Sequence, residues 1–192
     1  MIKINNELRD RAYQCACEHG FHETEHSDAH WMMLIVTEIS EAVDADRKGK
    51  HADILKFKRE FSFNKYFTSE PIRFKNAFEK CIKGSVEEEL ADIVIRCLDL
   101  AGNMNIDIDS CSLFSSCYVN SSLSFTENIF AISTIIYEPK FGVQGVSLHD
   151  KINRVIASTF CLAELFGVDL LWHIEQKMKY NELRPMLNGK KY

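Results

Sequence analysis

A chain of 192 residues with 46% apolar and 27% charged side chains has the composition of a soluble globular protein and can bury a core without covalent staples. Its net charge of −5 argues against a broad nucleic-acid-binding face. Seven cysteines, an odd number with no Cys-x-x-Cys pair, argue against a disulfide framework. They fit a reduced, cytoplasmic compartment with Cys97 and Cys161 as small core residues.

Met1-Ile2-Lys3-Ile4-Asn5 has no signal-like apolar run, and no stretch reaches membrane-spanning length, so no membrane partner is expected. Residues 5–19 read as a first helix, with Leu8, Ala12, Cys15 and Ala16 on one stripe and Gly20 as its stop. His19, His22, His26 and His30 follow. The spacing of His26 and His30 suits two ligands on one helical face, but Ser27 and Asp28 have the character of caps and would leave His26 outside the helix. Turn and surface roles are the simpler expectation for these histidines.

A second helix is expected from about 29 to 48. Met32, Ile35, Ile39, Ala42 and Val43 form its apolar stripe, and Glu38 and Glu41 lie beside that stripe rather than opposite it. Residues 50–84 hold Phe57, Phe61, Phe63, Tyr66, Phe67, Phe74 and Phe78, interrupted by Pro71. Short helices or a lid packing these rings onto the bundle are expected. A capping box, Ser85-Val86-Glu87-Glu88, opens a third main helix that runs through Leu90, Ile93, Val94, Cys97 and Ala101 to Gly102. Glu89, Asp92, Arg96 and Asp99 form its polar stripe, and Arg96 is placed to orient Asp92.

A Ser- and Cys-rich stretch leads to about Ser124. Two helical segments follow, near 126–137 and 148–166, separated by Pro139, Gly142 and Gly145. His149-Asp150 is a lone pair without the second such set that a phosphohydrolase of that type needs. The last helix starts near Asp169 and carries Lys177, Asn181 and Arg184 at i, i+4 and i+7, ahead of Pro185. A cation, an amide and a guanidinium on one stripe suit a polyphosphate; a solvated basic helix end is the bland alternative.

The chemistry concentrates in two acidic pairs, Glu38/Glu41 and Glu89/Asp92. Residues three apart share a helical face. If the two helices pack face to face, four carboxylates converge, and their mutual repulsion calls for cations. Oxygen-only ligands suit Mg²⁺ or Mn²⁺. A di-iron bundle would instead use Glu-x-x-His pairs, which neither acidic helix has.

The run Thr37-Glu38-Ile39-Ser40-Glu41-Ala42, the later Glu88-Glu89-Leu90-Ala91-Asp92 and the terminal Lys177, Asn181 and Arg184 resemble the MazG-like nucleotide pyrophosphohydrolases, a family similar to the all-α dimeric dUTPases. The family pattern is EExxE followed by ExxD on neighbouring helices, matched over about residues 5–105 and 167–192. The resemblance implies one all-α domain over 1–192, a helical bundle of the all-α NTP pyrophosphatase type with an insertion at about 108–166. It implies Mg²⁺ (or Mn²⁺) held by Glu38, Glu41, Glu89 and Asp92, and hydrolysis of a nucleoside triphosphate to monophosphate and pyrophosphate. Lys177 and Arg184 are then expected on phosphate, Asn181 on phosphate or sugar, and Glu88 as a candidate for water activation. A homodimer or homotetramer is expected. Two departures stand out: Thr37 replaces the first acid of EExxE, and the insertion could cover the site, extend a subunit contact or repeat a helical hairpin. A non-catalytic nucleotide sensor or helical interaction protein on the same fold is the alternative.

Overall fold

The computed structural model describes residues 4–63, 65–108, 117–138 and 146–189. Every regular element among them is helical: α1 (Asn6–Glu18), α2 (Asp28–Arg47), α3 (Ile54–Ser62), α4 (Glu70–Cys81), α5 (Val86–Asn103), α6 (Phe125–Tyr137), α7 (Leu148–Leu165) and α8 (Leu170–Asn181), then a 3₁₀ turn at Met186–Gly189. The all-α expectation holds. No single helix among the described residues is long and apolar enough to cross a membrane.

The molecule is arranged around α5. Thirteen of its eighteen residues are buried, because α1, α2, α7 and α8 all pack against it. Its apolar residues, among them Leu90, Ile93, Val94, Cys97 and Leu98, form the centre of the main core together with Leu8, Ile35, Ile39, Ile132, Ile156 and Ile174. Ser85 caps the helix, its hydroxyl accepting from the Glu88 backbone N–H. The reciprocal half of the box is missing, since the Glu88 carboxylate accepts from the Gly84 N–H instead. Gly102 does not end the helix. It lies in the last turn, where an added Cβ would overlap the Cβ of Tyr13, so it serves the close crossing of α1 over α5.

Within 108–166 the described residues form two helices, α6 and α7, packed on each other. α6 packs on α2 and α7 packs on α5, and the capping box at Ser124/Glu127 starts α6. No described residue of this region reaches the cavity lining, so among the described residues it widens the bundle rather than covering the site. Residues 109–116 of the Ser- and Cys-rich stretch lie outside the described residues.

The aromatic stretch also forms a hairpin, and it divides in two. Phe57, Phe74 and Phe78 join Ala77, Cys81, Ile82 and Tyr180 of α8 in a second small core, with Phe61 packed against it. Phe63, Tyr66 and Phe67 do not pack as expected: they sit at the turn between α3 and α4, and Phe67 is 90% exposed. Pro71 does not interrupt the segment either. It occupies the first turn of α4, where its missing N–H costs nothing. Cys97 is buried as expected, whereas Cys161 is only half-buried.

Candidate metal centre

The first acidic helix is α2, started by Ser27, whose hydroxyl accepts from the His30 N–H and leaves His26 outside. The rings of His26 and His30 stack with centroids 4.0 Å apart, and neither residue lines the cavity that holds the carboxylates. α2 packs on α5 over its apolar stripe, which turns Glu38 inward and leaves Glu41 exposed at the rim. α5 supplies Glu88 and Glu89, both buried, and the half-buried Asp92. One carboxylate oxygen each from Glu38, Glu89 and Asp92 lie within 4.8 Å of one another. Glu41 stands outside this tight group but lines the same cavity.

That cavity has a volume of about 370 Å³ and gathers every residue the sequence points to: Glu38, Glu41, Glu88, Glu89, Asp92, Lys177, Asn181 and Arg184. α8 crosses α5 and brings Lys177 and Asn181 to it. Arg184 arrives differently from expectation, because α8 ends at Asn181 and the N–H groups of Leu183 and Arg184 turn back on the carbonyls of Tyr180 and Asn181, three residues earlier. His19, at the C-cap of α1, braces that turn: Nδ1 meets the Cys15 carbonyl at 2.7 Å and Nε2 meets the Arg184 carbonyl at 3.1 Å. No local sequence signal marks this role of His19.

Two fixed cations penetrate the carboxylate cluster. Arg96 Nε donates to Glu38 Oε1 at 3.0 Å, so the expected Arg96–Asp92 pair is replaced by a pair between helices. Helical spacing does bring Arg96 near Asp92, but the carboxylate of α2 lies closer to the guanidinium. Lys177 is 5% exposed; it donates to Glu88, and its Nζ lies 2.6 Å from Asp92 Oδ2. Asp99, further along the polar stripe, is bonded to His22 Nε2 at 2.7 Å, and Trp31 stacks on that imidazole.

The electrostatics follow from burial. Glu38 and Glu88 are both pushed above the ordinary carboxylate range by loss of solvent, with Asp92 adding repulsion. Glu89 goes furthest, up to about 9, through burial first and then the charges of Asp92 and Glu88. Its Oε2 is buried and has no hydrogen-bond partner. Fully ionised, the four inner carboxylates (Glu38, Glu88, Glu89 and Asp92) would exceed the two fixed cations by two charges; without a further cation, burial keeps a proton on Glu89 instead. An unpaired buried oxygen, an all-oxygen donor set and a Glu89 proton that a cation can displace fit one hard divalent cation. Asn181 Oδ1 is a second buried acceptor without a partner in the same wall.

Thr37 takes no part. Its side chain is exposed and its hydroxyl donates to the Leu34 carbonyl at 2.6 Å. His149 and Asp150 pair as sequence neighbours at 3.3 Å, outside the cavity lining. No protein-family model, curated protein or solved structure matches this chain.

Proposed function

We propose that this chain is a metal-dependent nucleoside triphosphate pyrophosphohydrolase of the MazG-like type, releasing a nucleoside monophosphate and pyrophosphate. The observation that carries the reading is the buried, partnerless Glu89 oxygen beside Glu38 and Asp92, in a cavity also lined by Lys83, Lys177, Asn181 and Arg184. Glu38, Glu89 and Asp92 would hold Mg²⁺ (or Mn²⁺), and Glu41, at the rim, stays outside that ligand set. When bound, the cation supplies charge neutralisation for phosphate oxygens and acidifies a coordinated water.

The chain's own residues account for the rest. Arg184 and Lys83 offer cationic donors to phosphate oxygens at the mouth, and Asn181 Oδ1 offers an acceptor to a sugar hydroxyl. Attack of water on the α-phosphorus forms one P–O bond, breaks the α–β bridging bond and leaves a proton for a cavity carboxylate. Glu41, exposed and outside the ion pairs of Arg96 and Lys177, would take it; Glu88 serves only if its pair with Lys177 opens. The homodimer or homotetramer implied by the resemblance would bury exposed apolar residues such as Phe130 and Tyr137 of α6.

Thr37 favours the second reading, a nucleotide sensor without turnover, because the first acidic position gives nothing to the cavity. Pyrophosphate release from a panel of canonical and modified NTPs and dNTPs with Mg²⁺ separates the two. Metal-dependent release that drops by at least two orders of magnitude in Glu41→Gln and Asp92→Asn supports the enzyme. Nucleotide binding with no release from any substrate supports the sensor instead.

A further inference from the structure

Lys177 stands where a phosphate-binding lysine is not expected. Its ammonium is bound within the carboxylate wall, on Glu88 and on Asp92 at 2.6 Å, and the side chain is almost wholly buried. Asp92 is also one of the three acids whose oxygens converge. Beside it Glu89, 6% exposed, aims a partnerless oxygen into the cavity. A divalent cation arriving alone therefore shares Asp92 with a fixed positive charge, and like charges held close in a buried site repel strongly. An ammonium that leaves the wall needs another acceptor, because a buried unpaired cation is costly. A polyphosphate brings such oxygens with it; a free cation does not.

We infer that Lys177 is the resident counter-ion of this site, holding out the free divalent cation and admitting it as a chelate with a polyphosphate, whose oxygens take over the ammonium. The inference rests on the nucleotide reading above and names its ligand as the metal–polyphosphate complex. Asp92 then exchanges a lysine partner for a metal partner in one event, and cation and triphosphate bind with positive coupling. No covalent change is involved.

The test is Mn²⁺ binding by the full chain, followed by loss of the free-ion electron paramagnetic resonance signal, with and without an α,β-methylene nucleoside triphosphate. Lys177→Met is compared with wild type. Lys177→Met/Glu88→Gln removes both charges of the pair and guards against loss of fold from an uncompensated Glu88. Wild type is expected to bind Mn²⁺ weakly alone and at least about tenfold more tightly with the analogue. Either folded variant is expected to bind Mn²⁺ alone roughly tenfold more tightly than wild type and to lose most of that coupling. Variants that bind Mn²⁺ no better than wild type overturn the inference, and assign Lys177 to holding Asp92 in place for the metal. Absence of Mn²⁺ binding by every form, with or without analogue, overturns the metal-dependent reading itself.

Discussion

Glu89 shows how one side chain sets the behaviour of the cavity. Burial, with Asp92 and Glu88 nearby, pushes its carboxyl from an ordinary 4.5 up to about 9. Between those values the folded chain keeps a proton that the unfolded chain has released, so metal-free stability falls as pH rises through this window. Glu38 and Glu88, also raised, add to the same slope. Burial alone would lower Lys177, but Asp92 and Glu88 outweigh it, and the ammonium keeps its charge throughout the window. Urea midpoints in chelator-treated buffer should therefore decline from pH 5 to pH 9, and Glu89→Gln should flatten the decline. A midpoint that climbs over that range contradicts the assignment. The Arg96–Glu38 pair gives a second residue-level expectation. Arg96→Met leaves Glu38 buried without its partner and should cost about 3 kcal/mol, as removal of one partner of a buried pair does. Arg96→Met/Glu38→Gln should recover most of that loss in the same denaturation experiment.

At the scale of elements, the site depends on how closely α1, α2 and α8 approach α5. The α1–α5 crossing passes at Gly102, against the Cβ of Tyr13. Helix propensity alone predicts that Gly102→Ala stabilises by roughly 1 kcal/mol. The overlap acts the other way and should dominate, giving a net loss of about 2 kcal/mol. Tyr13→Phe should not relieve it, since the obstructing atom is the Cβ. Chemical denaturation of the single and double variants decides the sign. The helical periods were legible in the chain: the expected bounds of α1, α2, α5, α6 and α7 fall within one or two residues of those observed. The aromatic stretch was less so, because a run of rings does not say which of them reach a core. Phe57 and Phe78 do, against Tyr180 from more than a hundred residues away, while Phe63 and Phe67 face outward.

The whole molecule should respond to ligand as one bundle, because the carboxylates come from α2 and α5 and the cationic wall from α8 and the turn after it. A Mg²⁺–nucleotide complex that binds the folded chain at about a hundred times its Kd adds about 2.7 kcal/mol. For a chain of this size that corresponds to a rise in Tm of roughly 5–10 °C. Glu89→Gln should abolish the shift, as read by differential scanning calorimetry. An unchanged Tm in wild type under saturating complex would count against the site.

The sequence by itself determined the all-α class, the two acidic helices and the pairing of carboxylates on each. Those properties follow from a 3.6-residue period, caps and spacing, all of which are local. Only the tertiary structure decided which charges meet. Arg96 pairs with Glu38 rather than Asp92, Lys177 lies on carboxylates rather than at an open phosphate position, and His19 braces the turn that carries Arg184. Each of these contacts joins residues far apart in the chain, and its partner is chosen by the approach of packed helices and by the cost of leaving a buried charge alone.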